Sequence, residues 1–512
     1  MDKQNYKHEA NYMSSQDRLG DPDIWNRLKP SWRYLRNLPH DTSVNVLSVP
    51  AAMLLTPERF DIAIKCLYGR LWRNESAPLW RKLVYSAQAS RITGPSPVIK
   101  EHDGSKKSGL AQFLSRFQEL LRDSPPENLP IVPVGEALIA FDGSHRIAAA
   151  ICTNRKIEVA HIAAPSPCLG DATFFSSSLH GHKPCPSEIL DEAAIEYCRI
   201  KKGLSLCLIF PTVQSEAHAI ACLRDAGRIV YRKDIVLSPK CGHALLRQVY
   251  YGHAWFQGLQ DEMETDGFLH KVRSCFPLLG VVRVLLIDGL DANARLGVKH
   301  QIRSHYRIGN HSIHITDTDE EVLLIARVVF NDNSIALLRA GVGGNRKFEE
   351  QLFIYKKWLE SKGLDCESFV IDGGAVLGLL NLRDCRDIDF LFHGDVGCLP
   401  ALPEKVDCHN GLARYHTHKI GDLVGDPRLH CWYMGAKFCT LPVVSRMKWR
   451  RGEAKDHADI VLLQAKVKHF RKSSNLHLTD QLTFGSAKLL SNVWVMVQIL
   501  KRTIKSAMRS IR

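Results

Sequence analysis

In the segment "RDIDF", Asp387 and Asp389 stand two residues apart on an apolar pattern that reads as a strand, so both carboxylates project from one face. Upstream, "SFVIDGGAVLGLL" reads as a short strand, a turn at Gly373 and Gly374, and a helix, with twelve residues between Gly374 and Asp387. A glycine turn there lets backbone N–H groups approach phosphate oxygens, where the helix dipole also favours negative charge. A third carboxylate, Asp407 in "EKVDCHN", follows Val406 on what reads as the next short strand. Carboxylates so placed suit Mg²⁺ or Mn²⁺ held against a nucleoside triphosphate. The same residues also fit a packing turn followed by a solvated strand end; the third carboxylate weighs against that alternative.

Gly373–Gly374, the Asp-x-Asp of Asp387 and Asp389, and Asp407 between apolar neighbours together resemble the signature of the nucleotidyltransferase fold superfamily. The resemblance implies that the three aspartates hold the metal, that the Gly turn holds the triphosphate, and that the attacking hydroxyl comes from an acceptor substrate. Downstream, "GAKFCTLPVVSRMKWRRGEAKDHADIVLL" is similar to the segment in which a lysine and a Lys-Asp-x-x-Asp helix complete the nucleotide site. It assigns Lys437, Lys448 and Lys455 to phosphates. Asp456 and Asp459 fit the site or ordinary pairing with Lys455 or Arg451 within the helix.

Two further stretches carry candidate chemistry. In "DGSHRIAAA", Asp142, Ser144, His145 and Arg146 occupy a strand-to-helix turn; Ser144 suits the helix cap, His145 and Arg146 an anion, and Asp142 a base or metal ligand. An Arg and His structural network explains them equally well. The stretch resembles the ParB/sulfiredoxin fold and, in its Asp-Gly-x-His-Arg form, ParB-like kinases that phosphorylate a small hydroxyl substrate. Ser144 stands near the position of the sulfiredoxin cysteine, which argues against sulfenic-acid chemistry.

In "IRSHYRIGNHSIHITDTDEE", a strand ends on His314 ahead of a Thr-Asp-Thr turn. This resembles the nucleoside diphosphate kinase signature, implying His314 as phosphate acceptor, Arg303 as a phosphate contact and Asp317 as the turn aspartate. Phe210 stands where that family keeps a lysine, and the spacing from Ile302 to His314 is shorter, so a repurposed fold is the expectation. The pair His311 and His314 also suits zinc, although two further ligands are not evident.

The elements that must carry these residues imply a multidomain α/β and α+β protein. Residues 1–40 read as a flexible lead-in and 41–165 as the ParB/sulfiredoxin-like domain. Residues 166–200 read as a Pro/Ser/Gly-rich linker and a helix. A ferredoxin-like or nucleoside diphosphate kinase-like domain is expected over 201–341 and a nucleotidyltransferase-like domain over 345–475. In 476–512, apolar residues recur at helical spacing with Lys501, Lys505, Arg509 and Arg512 on another face, a basic amphipathic tail suited to an anionic membrane surface or to core packing. The helix over "PERFDIAIKCLYGRL" is expected to pair Glu58, Arg59, Asp61 and Lys65 among themselves.

At 512 residues the chain exceeds one ordinary core, and its 45% hydrophobic and 24% charged residues suit a globular protein. The net charge of +14 suits polyanionic partners. Fifteen cysteines without a Cys-x-x-Cys pair fit neither a zinc ribbon nor a secreted disulfide scaffold and point to a reducing cytoplasm. No signal-peptide pattern or long apolar run occurs, so the expected location is cytoplasmic, peripheral at the inner membrane surface if the tail binds lipid. The implied activity is nucleotidyl or phosphoryl transfer to an unidentified hydroxyl acceptor, a small metabolite or glycan. The competing class is a nucleotide-sensing or nucleic-acid-binding scaffold without turnover. Aromatics interleaved with a basic stripe, the mark of single-strand binders, are missing from the sequence.

Overall fold

The computed structural model describes residues 17–466 except 29–34, 36, 94–97, 101–105, 125–128, 167–169, 179–182 and 252–265. The amphipathic tail expected over 476–512 lies outside the described residues, as do residues 1–16. The protein is a mixed α/β multidomain chain with several small sheets and many helices, and it divides into two compact units.

The first unit comprises the described residues up to Leu204 with two short stretches, 228–231 and 286–291. Its sheet has the order β1-β2-β6-β5, where β1 is Asp17–Arg18, β2 Ser43–Pro50, β5 Val132–Val134 and β6 Lys156–Ile162. A separate hairpin pairs β3 (Val98–Lys100) with β4 (Lys106–Ser108). β2 and β6 run antiparallel in register from Val44 opposite Ile162 to Pro50 opposite Lys156, while β5 lies parallel to β6. The helix Ser144–Cys152 joins β5 to β6, as the sequence pattern predicts.

The lead-in expectation is corrected from Asp17 onward. Leu19, Ile24 and Leu28 are buried with Val44, Phe141 and Ile162 in one apolar cluster, so these residues belong to the folded unit. The helix Ser187–Ile200 packs on the helix Phe60–Arg73, which makes it part of the unit's core and not a connector. Lys65 Nζ meets Asp61 at 2.9 Å with the expected helical spacing, and Arg59 joins from the turn before the helix. Burial would raise the Asp61 carboxyl, but Arg59 and Lys65 hold it well below the usual range.

The second unit holds two sheets, the first of them in all but residues 228–231 and 286–288. The first has the order β10-β7-β9-β8, from β7 Ser205–Ile209, β8 Arg228–Leu237, β9 Gly280–Asp288 and β10 Ile313–Ile315. Every position of β7 is buried, in keeping with its nearly continuous apolar run. The second sheet has the order β13-β12-β11-β15-β14, from β11 Phe369–Ile371, β12 Ile388–Phe392, β13 Val406–Cys408, β14 His430–Tyr433 and β15 Ala436–Cys439.

The middle and C-terminal domains expected as separate bodies therefore share one compact unit. Buried polar contacts hold them together. Arg247 meets Glu349 at 3.1 Å, Tyr433 donates to the same carboxylate, and the Met434 N–H donates to Gln248 Oε1 at 3.0 Å. Among the described residues the cysteines are free of disulfides, and no helix is long and apolar enough to cross a membrane.

Candidate metal and nucleotide site

β12 lies between β11 and β13, antiparallel to the first and parallel to the second. The register puts Asp389 directly opposite Asp407, and Asp387 sits just before β12 begins. One carboxylate oxygen from each of Asp387, Asp389 and Asp407 lies within 4.8 Å of the others. Among the described residues this is the one group of three or more His, Cys, Asp or Glu side chains close enough to share an ion. Its all-carboxylate donor set suits a hard cation such as Mg²⁺ or Mn²⁺.

The glycine turn closes over the same carboxylates. After β11, the Asp372 N–H donates to the Asp389 carbonyl at 2.8 Å, and the chain reverses at Gly373 with φ +64°. A Cβ on Gly373 would stand 2.8 Å from Asp389 Oδ2, so glycine is required both for the left-handed φ and for the approach to the carboxylate.

Burial pushes the Asp389 carboxyl up to about 6; His409 opposes the rise, while Asp387, Asp372 and Asp407 add to it. His409 Nε2 lies 3.3 Å from Asp389 Oδ1. His416 Nε2 bonds Asp372 Oδ2 at 2.8 Å in a buried pair, and among the described residues His416 Nδ1 has no hydrogen-bond partner.

The basic residues expected at phosphates are placed otherwise. Lys437 is buried on β15, bonding Glu367 Oε2 at 3.1 Å and the Glu367 and Val424 carbonyls, with Trp432 alongside. Lys448, also buried, bridges Asp456 at 3.2 Å and Asp459 at 2.8 Å. Lys455 stands at the surface beside Glu453 at 3.2 Å. Asp456 also takes a forked pair of bonds from Arg451, and Asp459 takes one from Arg383. The two aspartates of the Lys-Asp-x-x-Asp helix therefore anchor helix 454–466, and the expectation of Lys437 and Lys448 as phosphate contacts is corrected because both are sealed from solvent by their own partners.

The other two candidate motifs assemble less completely. Gly143, with φ +84°, holds the cap position, and Ser144 is the first helical residue without a capping bond. Arg146 turns back to donate to the Pro130 carbonyl and, at 3.2 Å, to that of Ile131, with Asp142 at 3.9 Å. His145 bonds Tyr85 Oη at 3.0 Å and packs edge-on to Phe117. These contacts follow the structural network that the sequence left open.

His314 is buried on β10 and bonds Glu321 at 2.8 Å; burial lowers its pKa while Glu321 works against the shift. Asp317 is held by Lys299 at 2.7 Å, and the His311 ring packs edge-on to His270 with centroids 5.3 Å apart. Arg303 lies on the helix Ala292–Tyr306, and among the described residues its buried Nε has no hydrogen-bond partner.

Four residues of the site neighbourhood, His409, Asp372, His416 and Arg383, were not singled out by any sequence motif. His409 follows Asp407 by two, and the two-residue strand repeat was a usable signal. Asp372 and His416, 44 residues apart, had none, and neither had Arg383 with Asp459, 76 apart. Compared with family models, curated proteins and solved structures, the chain has no match in any of the three.

Proposed function

We propose that the second unit carries a metal-dependent transferase site, which moves a nucleotidyl or phosphoryl group from a nucleoside triphosphate to a hydroxyl acceptor. The single observation that carries this reading is the convergence of Asp387, Asp389 and Asp407 beside a glycine whose Cβ-free surface faces Asp389. Asp389 sits centrally, opposite Asp407 in register, and its carboxyl is already crowded by like charge. Such a set favours a divalent cation over three free carboxylates.

When bound there, Mg²⁺ or Mn²⁺ would supply charge stabilisation for the oxygens of an in-line displacement. The chain's own contribution is placement. β12 and β13 hold the carboxylates on adjacent strands, Gly373 lets the turn approach Asp389 closely, and His409 lies against Asp389. The β10-β7-β9-β8 order of the neighbouring sheet agrees with a ferredoxin-like arrangement, which supports the expected domain type for that region. Kinase chemistry at His314 is less favoured, since its imidazole is buried on β10.

Incubation of the full chain with each labelled nucleoside triphosphate and Mg²⁺ tests the reading. Label is expected to leave the triphosphate in a Mg²⁺-dependent manner for the unaltered chain and to stay there for Asp387→Ala. Equal turnover by the two would remove the three aspartates from the mechanism.

A further inference from the structure

Gly373 and Gly374 are neighbours in sequence, yet what lies over them differs in charge. A Cβ on Gly373 would meet the Asp389 carboxylate at 2.8 Å, and one on Gly374 would meet the Arg383 guanidinium, with Nη2 at 3.1 Å and Nη1 at 3.6 Å. The turn is thus lined by the candidate metal carboxylates at its first glycine and by a guanidinium at its second.

Arg383 is held in a fixed orientation. Its Nε and Nη2 donate to Asp459 at 2.7 and 3.0 Å, and Nη1 donates to the Asp384 carbonyl at 2.9 Å. A guanidinium has five N–H donors, so one remains on each of Nη1 and Nη2, the two nitrogens nearest Gly374. The side chain is 37% exposed, which leaves those donors accessible to a ligand.

Asp459 does not spend its charge on Arg383 alone, because Lys448 Nζ also bonds it at 2.8 Å. Arg383 and Lys448 share Asp459, and Lys448 also meets Asp456, so Asp459 leaves part of the guanidinium's positive charge unneutralised. Lys448 and Asp456 are fully buried, so Arg383 is the member that can present this charge next to Gly374.

We propose that Arg383 binds the β- and γ-phosphates of the nucleoside triphosphate, and that Asp459 is its positioning residue. This rests on the transferase reading above. A triphosphate lying along the turn would bring its α-phosphate toward Asp387, Asp389 and Asp407, which would hold the cation, and its terminal phosphates toward the Arg383 Nη donors. The planar fork of arginine suits that contact, since it bonds phosphate oxygens in pairs.

The test uses the full chain, calorimetric titration and four probes: Mn²⁺ alone, then a nucleoside triphosphate, inorganic tripolyphosphate and a nucleoside monophosphate, each with Mg²⁺. Arg383→Gln is expected to weaken triphosphate and tripolyphosphate binding by roughly ten-fold or more, the loss of charge-assisted bonds, with Mn²⁺ and monophosphate binding unchanged. Asp459→Asn is expected to weaken the same two ligands by a smaller factor and to add nothing in the Arg383→Gln background, the signature of action through Arg383. Should Arg383→Gln melt early, Arg383→Lys, which keeps the charge and loses the fork, carries the same comparison. Unchanged triphosphate binding by the Arg383 variants overturns the proposal, as does a full additional loss from Asp459→Asn. An unaltered chain that binds Mn²⁺ but no triphosphate overturns it while leaving the metal site standing; one that binds neither removes the transferase reading itself.

Discussion

Asp387, Asp389 and Asp407 lie close enough to share one ion, and without a cation their negative charges oppose one another across short distances. Neutralising one of them should therefore stabilise the cation-free protein. Asp387→Asn is expected to raise the melting temperature by a few degrees in EDTA, corresponding to about 1 kcal/mol, and to remove the further rise that Mg²⁺ gives the unaltered chain. A lower melting temperature in EDTA would mean that the carboxylate has a structural bond to protect. These three residues were legible in the sequence because strand alternation and a glycine turn are local signals. Lys437 and Lys448 were not, because a lysine's place in the chain does not reveal whether Glu367 or Asp459 will meet it across the fold.

At the scale of elements, the site depends on helix 454–466, whose Asp456 and Asp459 receive Arg451, Lys448 and Arg383. Burial would raise the Asp456 carboxyl, but the Arg451 hydrogen bonds and Lys448 pull it down to about 2. A carboxyl depressed in the folded state stabilises the protein above its unfolded value of 3.8, and that contribution is lost as pH falls toward 2. Urea unfolding at pH 7 and at pH 3 is expected to show a clear fall in midpoint for the unaltered chain. Asp456→Asn should start lower at pH 7 and fall less, and an equal fall in both would assign the acid sensitivity elsewhere. The i,i+3 spacing of the two aspartates announced a helix; it left the choice of partners to tertiary packing, which brought Arg383 from 76 residues away.

For the whole molecule, local patterns located the strands and helices, while the grouping into two units depended on buried polar contacts that no local pattern records. Residues 345–466 lean on Arg247 through Glu349, on Gln248 through Met434 and on Ser334 through Trp432. A fragment of residues 345–466 is accordingly expected to lack a cooperative melting transition under conditions where the full chain has one; a sharp transition in the fragment would make it an independent domain. The early residues carry the same lesson, since Leu19 and Ile24 reach their core only through partners such as Phe141 and Ile162 far along the chain. The central claim, that the three aspartates form a cation site, is tested most directly by electron paramagnetic resonance of Mn²⁺ titrated into the full chain and into Asp389→Asn. Saturable Mn²⁺ binding is expected for the unaltered chain, with an affinity at least about ten-fold weaker in the variant. Equal affinity in the two proteins would contradict it.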